Sequence, residues 1–148
     1  MLLQKGVTGH FYVETPQLDI ETFKKWAYQT ITAQGGKVLS FKVNDYPRNF
    51  FTVQMDFKDE VIFLLLNAYY PFLAFASSID DAIIIFRDPP IHFLVFDTFY
   101  EVVSFAELSW PINPKSLLVE HDLTKAELRY VRYFQPKTVG GILFNCWD

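Results

Sequence analysis

Three histidines, one cysteine and a few clustered carboxylates are the side chains from which this 148-residue chain could assemble a reactive site. A local zinc site needs Cys or His pairs a few residues apart. His10, His92 and His121 have no such neighbour. His10 and His92 fall in segments that read as strands, where a packed histidine with one hydrogen bond is the common case. His121 and Asp122 read as loop and cap chemistry before a helix. Cys146 would need a base and an orienting group beside it to act as a nucleophile. Only the fold can bring His10 or His92 to it, and its place between Asn145 and Trp147 suits a buried small hydrophobe. The best carboxylate candidates are Asp80-Asp81, in SIDD, and Arg87-Asp88, in RDPP. Acid–base catalysis wants two carboxylates in unlike environments across a cleft, whereas adjacent aspartates in a turn point apart into water. TVGG (138–141) lacks the Lys-Ser/Thr of a phosphate loop and reads as a turn or bulge. The expectation is therefore no catalytic residue, no cofactor and no metal.

Charge is distributed unevenly. The net charge is −4. Between Asp59 and Asp122, however, ten acids face only Arg87 and Lys115, a local net of −8. Most of these acids lie in breaks between apolar runs, so alternate turns of a meander can gather them on one edge. Such an edge attracts a basic protein and speeds its association. Tyr69 and Tyr70, with Phe72 and Phe75, cluster at one bend, and aromatics beside acids suit an interface hot spot. Asp80, Asp81, Asp88, Tyr69 and Tyr70 are thus the expected partner-binding residues. Lys125, Arg129 and Arg132 form a short basic stripe. In an acidic chain this reads as a solvated helix face, without the long phosphate path that nucleic-acid binding needs.

The elements that must position these residues alternate in period. TPQLDIETFKKWAYQTITAQGG (15–36) reads as a helix, capped by Asp19 and ended by Gly35-Gly36, with Ile20, Phe23, Ala27 and Ile31 on one face. KVLSFKV (37–43) and FFTVQMDF (50–57) then alternate with period two. The sixteen-residue run VIFLLLNAYYPFLAFA (61–76) carries no charge, but it is shorter than the ~20 residues of a spanning helix and holds Asn67 and Pro71. It reads as two buried strands joined at NAYYP, and no membrane is expected. AIIIF (82–86) and IHFLVF (91–96) read as further strands, and continuous apolar strands imply helices over both sheet faces. GHFYVET (9–15) and GGILFNCWD (140–148) read as the first and last strands. DTFYEVVSFAELSW (97–110) is ambiguous: Thr98 with Glu101 has capping-box spacing, while YEVVSF favours a strand ending near Phe105. PINPKSLLVEHD (111–122) reads as a loop. LTKAELRYVRYFQP (123–136) reads as a helix with a Thr124/Glu127 capping box and an apolar face of Leu123, Ala126, Tyr130 and Phe134.

One α+β domain over residues 1–148 results: an antiparallel meander of about six to eight strands with an N-terminal and a C-terminal helix. One lone thiol and no signal-like start imply a cytoplasmic protein. The functional expectation is a non-catalytic protein-binding domain of the acidic immunity or antitoxin type that occludes a basic partner. The alternatives are a small-molecule binder with an aromatic-lined pocket, or an enzyme with a dispersed site around His10, His92 and Cys146. Homo-oligomerisation through an exposed sheet face fits the same pattern.

Overall fold

The computed structural model describes residues 2–10, 16–45, 47–80, 83–113, 115, 117 and 120–147. Helix α1 (Ile20–Ala33) starts where Asp19 Oδ1 accepts the Glu21 and Thr22 amides. It ends at Gly35, whose φ of +83° only glycine adopts cheaply. A five-stranded antiparallel meander follows: β1 (Lys37–Lys42), β2 (Phe50–Phe57), β3 (Glu60–Asn67), β4 (Phe72–Asp80) and β5 (Ile83–Arg87). Lys58 and Asp59, both at positive φ, close the β2–β3 hairpin. Pro71 splits the long apolar run, so β3 and β4 pair antiparallel with Leu65 opposite Ala74. A two-residue strand, β6 (Glu101–Val102), joins β4 in parallel and completes a sheet of six. The α+β meander read from the sequence is the observed architecture.

Both faces of the sheet are covered. One carries α1 and the 3-10 helix Ile91–Thr98, over a cluster that includes Phe51, Leu64, Phe75, Phe93 and Phe96. The other carries residues 3–7, helix α3 (Lys125–Phe134) and helix α4 (Val139–Leu143), over Phe50, Leu65, Ala74 and Ile142. A short helix α2 (Phe105–Leu108) lies between β6 and α3 in the chain.

Several expectations are corrected. Residues 91–96 are not a strand: Phe93 and Phe96, spaced three apart, eclipse on one side of a 3-10 helix and bury together. The C-terminal stretch is not a strand either. Thr138 caps α4 through Gly141, so TVGG opens a helix, not a bulge. The capping box after β6 belongs to Ser104 and Glu107, not to Thr98 and Glu101. Within the expected loop, Lys115, Leu117 and Glu120 are helical, and Asn113 Oδ1 accepts the Lys115 amide. β5 is an edge strand with Ile83 and Ile85 67% and 56% exposed, so its continuous apolar sequence does not mean burial on both faces. On α3 the buried residues are Ala126, Glu127 and Val131. Residues 11–15 of the expected first strand lie outside the described residues.

Candidate functional site

The structure separates the four described residues of the five expected to bind a partner. β4 is nine residues long, so its ends lie about 26 Å apart. Asp80 ends β4, opposite Ile83, at the same end of the sheet as Asp59 and Glu60. Asp81 lies outside the described residues. Tyr69 and Tyr70 occupy the β3–β4 turn at the other end, where Asn67 Oδ1 accepts both their amides. The Tyr70 hydroxyl donates to the Lys5 carbonyl, and burial raises its pKa, helped by the charges of Glu127 and Asp122. Tyr69 lies against Gly9, where an added Cβ would come within 3.3 Å of its ring. These tyrosines thus hold the N-terminal segment in place. Asp88 follows β5 and accepts the Phe105 amide at 2.9 Å. Glu60 pairs with Arg87 at 2.6 Å on the surface, which contributes under about 1 kcal/mol.

Asp88 belongs instead to a second group of acids around α2. The 3-10 helix aligns Ile91, Leu94 and Asp97 three residues apart, on a different line from Phe93 and Phe96. Ile91, Leu94 and Val95 are consequently exposed. Leu94 and Asp97, with Asp88, Pro89, Val102 and Ser104, line an open groove of about 330 Å³. Glu107, the capping partner of Ser104, lines another concavity of about 320 Å³ with Trp110, Ile112, Glu120, His121 and Val139. His121 is fixed there because its Nδ1 accepts the Leu3 amide. Burial lowers its pKa, opposed by the Glu120 charge. Phe105, from α2, and Trp110, which itself lines the second concavity, are 46% and 67% exposed. Acids and exposed large apolar groups therefore occur together around α2, the residue types of a protein interface with aromatic core and charged rim. The period-three spacing of Ile91, Leu94 and Asp97 was the available sequence signal.

The dispersed site around His10, His92 and Cys146 is not assembled. His92 contacts Lys58 Nζ at 3.2 Å and the Phe57 ring, on the α1 face of the sheet. Cys146 packs against the opposite cluster. His10 is on that second side, stacked on Tyr130 at 4.1 Å with Trp147 at 5.9 Å. Burial lowers its pKa, opposed by the Glu127 charge.

Glu127 is the polar residue that sequence reading undervalued. It caps α3 through Thr124 as expected, yet it is fully buried. Its Oε1 accepts the Gly6 amide at 2.8 Å and the Thr124 amide at 3.1 Å. Its Oε2 accepts the amide and the hydroxyl of Thr8. The first turn of α3 adds a favourable dipole. Beside it, the Asn49 and Asn67 amides both donate to the carbonyls of Val7 and Leu143. Asn145 Nδ2 donates to the Thr8 and Ile142 carbonyls. This network satisfies buried main-chain groups, and its chemistry is that of a clasp.

Among the described residues no group of three His, Cys, Asp or Glu side chains could hold a metal ion, and no helix is long and apolar enough to cross a membrane. No family model, curated protein or solved structure matches the chain.

Proposed function

We propose that this chain is a non-catalytic protein-binding domain, acting in the cytoplasm, whose partner is a basic protein engaged across α2. The occlusion of a basic toxin by an acidic immunity or antitoxin-type protein is the specific case we favour. One observation carries the reading: Trp110, 67% exposed, lines a concavity together with Glu107 and Glu120, and a second groove lined by Asp88 and Asp97 adjoins α2 through Ser104, beside the exposed Phe105. Desolvated aromatics supply affinity, and surrounding acids supply steering and selectivity for cations. Asp80 ends β4 away from α2 and extends the acidic field more than the contact surface. Tyr69 and Tyr70 contribute by fixing the N-terminal segment.

The test is affinity capture from native lysate with wild type, Trp110→Ala and Asp97→Lys, at low and moderate salt. The expected result is one basic protein retained by wild type, weakened by salt, and lost with Trp110→Ala. Asp97→Lys should lower the retention and flatten its salt dependence. Retention of the same protein by all three, with the same salt dependence, overturns the reading.

A further inference from the structure

The meander places a second, oppositely charged group of side chains far from α2. Register pairs Lys42 with Thr52 and Ser40 with Gln54 across β1 and β2. Period two puts all four on one face of the sheet. This is the face of Phe50 and Leu65, since Thr52 stands opposite Leu65 in β3. Arg48, from the connector before β2, lies with its guanidinium 5.5 Å from the centre of the Phe50 ring. Arg48, Ser40, Lys42, Thr52 and Gln54 together line a small cavity of about 50 Å³, walled by Phe63 and Ile79.

Thr52 is 5% exposed, and its Oγ1 is the one buried side-chain polar atom among the described residues that has no hydrogen-bond partner. An unsatisfied buried hydroxyl is destabilising unless something fills the cavity and pairs with it. Gln54 is already polarised: its Oε1 accepts from the Ser40 hydroxyl, which leaves its amide N–H groups as donors. The cavity therefore offers an ammonium, a guanidinium, an amide donor and an idle hydroxyl. Its volume suits a few heavy atoms and excludes a whole metabolite.

We infer that this cavity binds an oxyanion of phosphate size. The guanidinium supplies planar paired donors, the Lys42 ammonium a point charge, and Thr52 the buried contact that carries no charge. The group can come from free inorganic phosphate or from the terminal phosphate of a small organic ester.

The experiment is thermal unfolding of the full chain in rising inorganic phosphate, glycerol 3-phosphate or acetate, each at ionic strength matched with sodium chloride. A ligand that binds only the folded state raises the midpoint in proportion to the logarithm of its concentration once saturating. Wild type is expected to respond to phosphate in the millimolar range and at least about tenfold more weakly to acetate, because a carboxylate carries less charge and fewer acceptors. A comparable response to glycerol 3-phosphate identifies an ester source; a response to inorganic phosphate alone identifies the free ion. Thr52→Val removes the idle hydroxyl without changing the volume much. It should leave the midpoint in chloride unchanged or raised and abolish the phosphate response, and Lys42→Gln should weaken that response. A phosphate response that survives in Thr52→Val overturns the inference. So does an equal response to acetate, or none at all, which would mean the cavity holds water.

Discussion

The two faces of the sheet are filled by different chemistry. Over the α1 face, Phe23, Phe51, Phe75, Phe93 and Phe96 pack with ring centres about 6 Å apart and are essentially inaccessible. On the other face, Thr8, Asn49, Asn67, Glu127 and Asn145 bury polar groups among Leu3, Val7, Ile142 and Leu143. Aromatic packing is strong but weakly directional, so it stabilises a layer without dictating which segment lies where. Hydrogen bonds in a dry interior are unforgiving of misplacement. The phenylalanine face holds the sheet to α1 and the 3-10 helix. The asparagine and glutamate face decides that residues 3–8 and 142–147, from opposite ends of the chain, lie side by side.

Substitutions at one position on each face sharpen this contrast. Phe93→Ala empties a fully buried site and should cost about 4 kcal/mol in urea unfolding. Phe93→Leu should restore more than half of that, because volume is what the site lacks. Glu127→Ala should cost about 3 kcal/mol, since it strands the amides of Gly6, Thr8 and Thr124. Glu127→Leu should restore little, because volume does not pair with an amide. Amide exchange should separate the two cases as well: Glu127→Ala exposes residues 3–8 first, whereas Phe93→Ala does not. If Glu127→Leu recovers as well as Phe93→Leu, the two faces do not differ in kind.

The same contrast explains what was legible in the sequence. Period-two strands and the 3.6-residue pattern of α1 report amphipathic burial, and β1 to β4 followed from them. The Thr124/Glu127 capping box was visible as spacing, but its fate was not, and the Ser104/Glu107 box was missed in favour of Thr98 with Glu101. Thr124-x-x-Glu127 and Ser104-x-x-Glu107 have the same local grammar, yet Glu127 is buried by a segment more than one hundred residues away. Asn49 and Asn67 looked like turn residues, and Asn145 like part of a last strand, because partners such as Val7 and Thr8 are remote in sequence. IHFLVF was misread because a short apolar run suits a strand and a 3-10 helix alike. The region around α2 was half legible: Asp88 was flagged, but Asp97, Phe105 and Trp110 needed the chain reversal after β6 to come together.

The two capping boxes allow a smaller test. In both, the Ser or Thr hydroxyl accepts the amide of the Glu three residues on, and that Glu accepts the cap's own amide. Glu107→Ala, at the exposed box, should cost no more than about 1 kcal/mol. The gap of about 2 kcal/mol between Glu107→Ala and Glu127→Ala measures what burial and the N-terminal segment add to one motif. A double variant with Thr8→Val should couple to Glu127→Ala and not to Glu107→Ala. Equal costs at the two boxes would place the Glu127 contribution in α3 alone.

The smallest expected effect is in pH dependence. His10 lies on the polar face against Tyr130 and Trp147, with Glu127 the charge acting on it. Burial sets its folded pKa below the ordinary value of 6.5, more than the Glu127 charge raises it. The unfolded chain therefore binds the proton more readily than the folded one. The stability this confers is complete above pH 6.5 and is lost as pH falls below it. His121 is shifted in the same direction and adds to the slope. The unfolding midpoint should fall from pH 7 to pH 5, and His10→Gln should remove part of that fall. A midpoint that rises on acidification, or an identical slope in His10→Gln, would show that protonating this imidazole does not load the clasp formed by residues 3–10, α3 and Trp147.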